Sequence, residues 1–509
     1  MTPAQSWTNR YNGPGEGVDF PSALHADLSG NVYVTGSSAN TPEQGWALEW
    51  NDFATIKYSA GGVPLWTNRF NGDLDQYDGG TAIAVDIEGN VVVTGFTKAG
   101  NGTDFATIKY SSSGVPVWTH SYDGPAGLND TPTAIAVDGH GNLFVTGTTD
   151  GATDSSIEPP MEIPSDITTI MYSSGGVAMW TNRYDGPANL HDAAKAVVAD
   201  REGNVIVVGS ADATGPSVHL GSAIVAIKYS GDGVPVWTNR YEGDGPAGEA
   251  CWPSALAVDP EGNVLIAGRS ERGTQQGFVT IKYSAAGVPL WTRRATASGA
   301  SAAWEPGEAV LAVDGQGNAF VVMGSPTAYL TVKYSVLGEG VWTNHFSRQP
   351  TGYSPLAAAA VDEEGNLFVA VVSNEIPRPS ETLRQITRLH YSAGGQTLST
   401  NRYDVPSIFL SPTMVVDRAG NVFVAGDSPA DGGLPDYITF KYAAPPVPPR
   451  LEIQRNGDSI NLKWPDPAFG LQSAPTIQGP FTNISGATSP YTTPAQGGAQ
   501  RYFRLFSGQ

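Results

Sequence analysis

The chain has 509 residues, of which 61 are Gly, 38 are Pro and 12 are Trp, and only 15% are charged. This composition is typical of short strands joined by many turns, so it predicts an all-β protein. The net charge of -21 argues against nucleic acid and membrane surfaces as partners, because both are bound largely through clustered Lys and Arg. The single cysteine, Cys251, excludes an internal disulfide, and no run of about 20 apolar residues predicts membrane insertion.

Four strand-length segments recur in the same order eight times along the chain. The first ends in Asp, as in TAIAVD (81–86), and the second follows Gly-Asn, as in IEGNVVVTG (87–95). The third resembles DFATIKYS (104–111), and after a short turn the fourth resembles LWTNRF (65–70). Each unit therefore predicts four antiparallel strands joined in chain order by turns.

Each first strand ends in the aspartate of an Asp-x-x-Gly-Asn sequence. We interpret these aspartates as turn residues whose carboxylates accept hydrogen bonds from turn amides, with Gly free to take positive φ. The alternative is a ring of carboxylates that collects a cation, but eight like charges on a wide ring lie too far apart to share one ion. We therefore predict no metal and no cofactor. The predicted turn ring is Asp27, Asp86, Asp138, Asp200, Asp259, Asp314, Asp362 and Asp417.

The first two strands of each unit are apolar on both faces, so each small sheet must be covered on both sides. Radial packing around an axis achieves this, and it predicts an eight-bladed β-propeller over residues 1–442. A linear solenoid is the alternative, but it needs polar capping repeats that neither end supplies. The last unit ends at Tyr442 without a fourth strand, whereas residues 7–11, WTNRY, form a fourth strand without a unit. We predict that this segment, with Trp7 and Tyr11, completes the last blade and closes the ring.

The phrases DFATIKYSSSGVPVWT, AIAVDIEGNVVVTG and YDGPAGLNDTPTAIAVD resemble the bacterial SBBP-type β-propeller repeat, over about residues 7–442. The resemblance implies the propeller fold. It also implies an extracellular or cell-surface location, because such blades occur mainly in large secreted or surface-attached proteins. The N-terminal MTPAQSW lacks a basic stretch followed by an apolar core, so we do not predict an intact signal peptide in it. The resemblance brings no catalytic residues with it.

Tryptophans fall into two groups. Seven open the fourth strand of a unit, where recurrence indicates packing between blades, and Leu398 replaces Trp in the remaining unit: Trp7, Trp66, Trp118, Trp180, Trp237, Trp291 and Trp342. Lysines of the third strand, such as Lys109, are interpreted as solvated or snorkelling. The other four tryptophans are expected in loops on one face, where they either cover blade ends or bind a carbohydrate or protein ligand. These candidate ligand-binding residues are Trp46, Trp50, Trp252 and Trp304.

The repeat stops after Tyr442, and residues 443–450, AAPPVPPR, predict a Pro-rich linker. Residues 451–509 predict a small β module with two strands around an Asn-Gly turn. Its FGLQSAPTIQGPFTNISGATSPYTTP segment resembles, weakly, the fibronectin type III-like modules that end many secreted bacterial proteins.

Two functions are open at this point. The first is a non-catalytic binding or scaffold propeller, expected to be a monomer, that presents its loop-rich face to a carbohydrate or protein. The alternative is a polysaccharide- or peptide-degrading enzyme with a site over the central channel, which requires two carboxylates, or a His and a carboxylate, about 3 to 10 Å apart. The seven histidines show no metal-ligand spacing and no Gly-x-Ser-x-Gly is present, so we predict no catalytic residues and no enzyme.

Overall fold

The computed structural model has two compact units, Met1–Ala443 and Ala444–Gln509, each described by itself below. Among the residues that the structure describes, no helix is long and apolar enough to cross a membrane. The described residues are 5–15, 17–40, 51–74, 76–151, 164–212, 222–243, 250–272, 275–296, 308–325, 327–347, 357–374, 384–405, 412–429, 434–444, 451–464, 469–494 and 500–507.

The first unit consists of eight four-stranded antiparallel sheets, which are the blades. The first part of the chain supplies β1 Gln5–Tyr11; blade 1, β2 Asp19–Ala26, β3 Val32–Ala39, β4 Asn51–Tyr58 and β5 Pro64–Phe70; blade 2, β6 Gly79–Val85, β7 Val91–Ala99, β8 Gly102–Tyr110 and β9 Pro116–Tyr122; blade 3, β10 Asp130–Val137, β11 Leu143–Asp150, β12 Ser165–Tyr172 and β13 Ala178–Tyr184; and blade 4, β14 Asp192–Ala199, β15 Val205–Asp212, β16 Ser222–Tyr229 and β17 Pro235–Tyr241.

The remaining blades have the same strand order. They are blade 5, β18 Ala250–Val258, β19 Val264–Arg272, β20 Gln275–Tyr283 and β21 Pro289–Thr296; blade 6, β22 Ala309–Val313, β23 Ala319–Gly324, β24 Ala328–Tyr334 and β25 Gly340–Ser347; blade 7, β26 Ala357–Val361, β27 Leu367–Asn374, β28 Arg384–Tyr391 and β29 Thr397–Asp404; and blade 8, β30 Thr413–Val416, β31 Val422–Pro429 and β32 Pro435–Tyr442, with β1 as its fourth strand.

The hydrophobic core lies between blades rather than inside any one of them. Eight clusters of buried residues each join two neighbouring blades, which is why the inner strands carry continuous apolar runs. Between blades 1 and 2, for example, Tyr33 and Phe53 pack with Val93 and Ile108. The predicted eight-bladed propeller is therefore confirmed.

The N-terminal strand closes the ring as predicted. Strand β1 pairs antiparallel with β32, with Trp7 opposite Lys441 and Tyr11 opposite Tyr437. The cluster between blades 8 and 1 includes Tyr437, with Trp7 and Tyr11 packed against it. The ends of the propeller chain thus meet within one blade, and blade 8 packs on blade 1 as any blade packs on the next.

A contact between the fourth strand of one blade and the next blade recurs at most junctions of the ring. The Trp237 indole donates to the Ala285 carbonyl at 3.1 Å, and the Asn239 amide donates to the Gly287 carbonyl at 2.8 Å. Gly287 has φ +81, and a Cβ there would lie 2.6 Å from the Trp237 ring. The turn between the third and fourth strands therefore requires Gly for two reasons, backbone conformation and the indole against it.

Blade 7 lacks this tryptophan, and the structure corrects which residue replaces it. Ser399 lies opposite His390 in the register at which Trp118 lies opposite Lys109, so Ser399, and not Leu398, occupies the Trp position. The next blade takes its fourth strand from the N-terminus and has no turn between third and fourth strands. An indole in blade 7 would have no such turn to contact.

Five of the third-strand lysines, Lys57, Lys109, Lys228, Lys282 and Lys333, are buried, so the prediction that they are solvated or snorkelling is wrong for these five, whereas Lys441 is half-buried. Lys282 is fully buried, forms an ion pair with Asp259 at 2.8 Å, and donates to the Gly317 carbonyl of the next blade at 3.5 Å. Lys109 pairs with Asp86 at 3.1 Å in the same way. Burial is possible because a carboxylate and a carbonyl together replace the water around the ammonium group.

The structure places all eight predicted turn aspartates at the hairpin between the first and second strands. In Asp86, one carboxylate oxygen accepts from the backbone amides of Glu88 and Asn90, at 3.0 and 2.8 Å. Burial alone would raise the pKa of Asp86, but hydrogen bonds from Asn90 and the Lys109 ion pair outweigh it and hold that pKa below its ordinary value. These carboxylates are therefore occupied within their own blades.

The second unit contains two three-stranded antiparallel sheets. One is formed by β33 Glu452–Asn456, β34 Ser459–Lys463 and β37 Tyr491–Pro494, and the other by β35 Phe469–Ala474, β36 Thr482–Asn483 and β38 Tyr502–Ser507. Leu462, Trp464 and Leu471 form its buried core. The predicted Asn-Gly turn joins β33 to β34, with Gly457 at φ +58.

Candidate functional site

The two faces of the propeller differ in their connections. One face carries the short Asp-x-x-Gly hairpins and the turns between third and fourth strands. The opposite face, called the loop face below, carries the connections from second to third strands and from each blade to the next. Variable loops on a rigid scaffold commonly carry function, so a binding site is expected on the loop face.

One of the four candidate tryptophans lies within the described residues. Trp252 lies in β18 rather than in a loop, so that expectation is wrong, because β18 pairs with β19 as far back as Ala250. Its ring is half-buried, with the Arg269 guanidinium 4.3 Å from the ring centroid. Trp46, Trp50 and Trp304 lie outside the described residues. The ligand-binding role of all four stays a prediction.

A cavity of about 440 Å³ lies between blades 1 and 2 at the loop face. It combines three aromatic rings with four polar side chains, and its lining residues are Phe20, Ser22, Ser37, Asn51, Tyr77, Asp78 and Phe96. Its volume falls within the range of about 300 to 1,000 Å³ that is typical of small-molecule sites.

The aromatic residues of the cavity come from both blades. Phe20 lies at the start of β2, opposite Ser37. Tyr77 precedes β6, and its ring packs on that of Phe96 with centroids 5.6 Å apart at an interplanar angle of 55°. Each ring of such a tilted pair restricts the orientation of the other, so the Tyr77 and Phe96 rings are held in place before any ligand binds.

Asn51 lines the cavity with a buried side-chain amide. Its side chain is 2% exposed, and neither its amide oxygen nor its amide nitrogen has a hydrogen-bond partner. Its backbone carbonyl, by contrast, accepts from the Asp78 amide at 2.5 Å, which fixes its position. A buried polar group without a partner costs about 1–3 kcal/mol, so an amide left in this state beside a cavity indicates a ligand contact.

Asp78 positions the loop that forms one wall. One of its carboxylate oxygens accepts from the Gly72 amide at 2.6 Å, and the other from the Lys98 amide at 3.0 Å. Because both oxygens are engaged with backbone amides, this carboxylate is suited to holding the loop rather than to accepting a proton from a substrate.

Sequence reasoning did not find this cavity. The available signal was departure from the repeat. Phe20 lies near the start of the first strand of blade 1, where blade 2 has Gly79 and blade 3 has Thr131, and Tyr77 precedes the first strand of blade 2. Trp252 occupies in blade 5 the register position that Phe20 occupies in blade 1, opposite Arg269 instead of Ser37. An aromatic residue at that position of the first strand is therefore the sequence signal that indicates this part of the loop face.

Two groups of aspartates meet the distance that the enzyme hypothesis requires. In each, three carboxylates offer oxygens within 4.8 Å of one another: Asp104, Asp123 and Asp130 between blades 2 and 3, and Asp166, Asp185 and Asp192 between blades 3 and 4. Burial raises the pKa of Asp130 to about 6 and that of Asp192 to about 7. Neither group lines the cavity between blades 1 and 2.

Part of the chain matches a known family. Residues 124–153, which include the first two strands of blade 3, match the SBBP family, described as a beta-propeller repeat. An uncharacterized WD repeat-containing protein of Acanthamoeba polyphaga mimivirus is 24% identical over 222 residues, which are 35% of this chain and 15% of that protein. The chain thus spans only a small part of the length of this curated relative.

Solved structures with a similar chain course have low sequence identity. A protein from Lactobacillus plantarum is 14% identical at a TM-score of 0.40, covering 82% of this chain and 99% of that one. The intramolecular trans-sialidase from Ruminococcus gnavus is 11% identical at a TM-score of 0.37, covering 87% of this chain and 99% of that one. Both scores are below 0.5, so the fold assignment depends on the strand pairing and the family match. Together these make the chain a β-propeller repeat protein.

Proposed function

We propose that the protein is a non-catalytic binding protein that holds a carbohydrate in the cavity between blades 1 and 2. One observation carries the proposal: the buried, unpartnered amide of Asn51 lines a cavity that also contains three aromatic rings. A sugar hydroxyl both donates and accepts, so it can satisfy both ends of an amide, while the apolar face of a sugar ring stacks on aromatic rings.

The size of the cavity favours carbohydrate over protein as the ligand. A stable protein interface buries about 1,200–2,000 Å² in total, whereas a cavity of about 440 Å³ accommodates a small group. Trp50, one of the predicted ligand-binding residues, directly precedes Asn51 in the chain. The carbohydrate proposal thus uses the same part of the chain that the tryptophans indicated.

A glycan array probed with the full chain tests the proposal, followed by titration of any bound glycan against Asn51→Ala. We expect this variant to bind about 10- to 100-fold more weakly, from the loss of hydrogen bonds worth about 1.4–2.8 kcal/mol. Its melting temperature should not fall, because the amide has no partner to lose. Asn101→Ala is the matched control, since Asn101 is an exposed asparagine on the same face and outside the cavity lining. Absence of any bound glycan, or equal binding by Asn51→Ala, would contradict the proposal.

Hydrolysis is the second candidate function, because one observation favours it. A general acid works best with a pKa near the working pH, and burial raises the pKa of Asp192 to about 7 beside Asp166 and Asp185. A panel of polysaccharides and peptides, assayed for new reducing ends or new amines, tests this function. Turnover that Asp192→Asn abolishes would support the enzyme and overturn the non-catalytic proposal.

Location and oligomeric state are part of the same proposal. Extracellular or cell-surface placement is supported by the likeness of residues 124–153 to the SBBP repeat, and fractionation of the source cells tests it. A monomeric state is supported by the closed ring, which leaves no blade without two neighbours, and sedimentation of the purified chain tests it.

A further inference from the structure

Four blades place an aspartate at the same position of the third strand. These are Asp436 in blade 8, Asp52 in blade 1, Asp104 in blade 2 and Asp166 in blade 3. The residue two positions after each aspartate pairs with the fourth strand, opposite Arg10, Arg69, Ser121 and Arg183, respectively. At that fourth-strand position, three of the four blades carry arginine. Blades 8, 1 and 3 therefore show how the repeat neutralises this carboxylate.

In those three blades the arginine contacts the aspartate. Arg10 lies 3.3 Å from Asp436 and Arg69 lies 3.2 Å from Asp52. In blade 3, Arg183 pairs with Asp166 at 2.5 Å. A guanidinium thus neutralises the third-strand carboxylate wherever the repeat keeps its Asn-Arg sequence.

Blade 2 keeps the aspartate and loses the arginine. Ser121 lies opposite Ala106, at the position where Arg69 lies opposite Ala54. Among the described residues, no Lys, Arg or His forms an ion pair with Asp104, Asp123 or Asp130, although oxygens of all three lie within 4.8 Å of one another. Three carboxylates therefore lie together at the blade that has Ser121 in place of the repeat arginine.

One carboxylate oxygen of this group is buried and unpartnered. Asp130 is 1% exposed; one of its oxygens accepts from the Gly124 amide at 2.5 Å, but Oδ1 has no partner. Thr149 lies opposite Asp130 but donates its hydroxyl proton to Thr168 at 2.7 Å.

Two equivalent aspartates in other blades use both of their carboxylate oxygens. Asp19 accepts from the Gly13 amide at 2.8 Å and from the Ala39 amide at 3.1 Å. Asp78 likewise uses both of its oxygens. The free Oδ1 of Asp130 is thus a departure from the repeat in addition to the missing arginine.

We propose that Asp104, Asp123 and Asp130 bind one calcium ion between blades 2 and 3, in place of the arginine that the neighbouring blades carry. Ca²⁺ takes six to eight oxygen ligands at about 2.3–2.6 Å, so two oxygens on one ion lie at most about 5 Å apart, which the separation of these oxygens satisfies. Asp123 is exposed, so water completes the coordination from the solvent side. This ion is unrelated to the eight turn aspartates, whose carboxylates are engaged within their own hairpins.

Calcium is favoured over magnesium by the geometry of the ligands. Mg²⁺ requires near-ideal octahedral geometry at about 2.0–2.1 Å and keeps several waters, whereas three carboxylates fixed by three different strand ends suit a larger and more adaptable ion. A site with few protein ligands predicts a Kd of about 10⁻⁴ to 10⁻³ M, as in extracellular calcium modules.

The experiment is calorimetric titration of the full chain, freed of divalent ions by chelation and dialysis, with CaCl₂ and separately with MgCl₂. We expect one saturable calcium site and at least tenfold weaker magnesium binding. Ser121→Arg restores the guanidinium of the neighbouring blades and should weaken calcium binding at least tenfold. Ser121→Ala changes the same residue without adding charge and should bind calcium as the original chain does.

A second pair of variants keeps the test independent of how Ser121→Arg folds. Asp104→Asn should also weaken calcium binding at least tenfold, whereas Asp232→Asn, at an exposed turn aspartate, should not. The proposal is overturned by absence of saturable calcium binding, which would leave the three carboxylates sharing protons instead. It is also overturned if Ser121→Arg and Asp104→Asn both bind calcium unchanged, since the ion would then lie elsewhere on this acidic chain.

Discussion

At single residues, five of the junctions between described blades share a three-part contact. An indole and a side-chain amide of the fourth strand donate to carbonyls of the neighbouring turn, and a glycine of that turn lies against the indole. At the closure, these residues are Trp7, Asn9 and Gly62. A side chain at the glycine would have to displace the indole and would also have to adopt positive φ.

Replacing Gly62 with Ala tests this contact. Gly62 has φ +84, and an added Cβ would lie 2.6 Å from the Trp7 ring, so we expect a loss of about 2–4 kcal/mol in the free energy of unfolding. Gly61→Ala is the matched control, because a Cβ there would have only Ser59 Oγ nearby, at 3.9 Å. Denaturant unfolding of both variants measures the difference. Equal stability of the two would show that the turn moves away from the indole without cost.

Asp104 predicts a pH dependence of stability whose sign follows from its raised pKa. Burial, with the charge of Asp123 added, raises this pKa from 3.8 to about 6, so the folded chain holds the proton more tightly than the unfolded chain does. In calcium-free buffer, stability should therefore fall as pH rises from about 4 to about 6 and stay lower above that. Asn cannot ionise, so the melting temperature of Asp104→Asn minus that of the original chain should grow across the same interval. Thermal melts from pH 4 to pH 8 measure this, with Asp232→Asn as control. A difference that shrinks with rising pH would have the wrong sign.

Among the strands, β1 differs from all others because its blade comes from the opposite end of the propeller chain. It covers the edge of β32 and brings Trp7 to within 5.9 Å of the Tyr58 ring of blade 1. Without it, blade 8 would expose an unpaired edge and blade 1 would lose the indole against its turn.

Deleting residues 1–12 should lower the melting temperature sharply. Loss of the Trp7 side chain alone corresponds to about 3–5 kcal/mol, and the strand pairing is lost as well. A synthetic peptide of residues 5–15 added to the shortened chain should restore part of the loss, whereas a scrambled peptide should not. Calorimetry of the three samples measures this, and an unchanged melt after deletion would contradict closure by β1.

Element boundaries followed from the sequence wherever a unit kept the repeat, and failed where it did not. Trp252 was expected in a loop. It lies in a strand because β18 begins at Ala250 and has nine residues, whereas a shorter first strand such as β22 has five. Burial of Lys282 was missed because its partners, Asp259 and the Gly317 carbonyl, come from another strand and another blade. Strand identity is local in the sequence, whereas such partners are set by the register between strands.

For the whole molecule, stability is distributed over eight cores that each need two blades. No blade buries its own apolar surface, so the ring gains its full stability only when every neighbour is present. The repeat made this architecture predictable. The cavity was not, because Asn51 and Phe96 lie in strands of two different blades and Tyr77 in the connection between those blades, and all three depart from the repeat. The aspartate group between blades 2 and 3 could have been noticed from Ser121, where the repeat arginine is absent.

The fragment 1–443 should fold on its own with one cooperative thermal transition. All eight cores and the pairing of β1 with β32 lie inside it, so no part of the ring is missing. The fragment 1–405, which ends after β29, lacks blade 8 and should unfold at a much lower temperature or fail to fold. Calorimetry and circular dichroism of both fragments measure this. Equal melting of the two would mean that ring closure contributes little to stability.

Closure by β1 also has a consequence for how the ring is made. A ribosome synthesises β1 before every other strand of the ring, yet its partner β32 is the last strand of the ring to emerge. Throughout that time β1 of the nascent chain lacks its partner strand, while the intervening blades assemble behind it. A chain released early cannot finish its ring and leaves β1 without its partner strand. Only a fully synthesised propeller chain can therefore pair β1, and truncated copies would present this unpaired strand to chaperones and proteases.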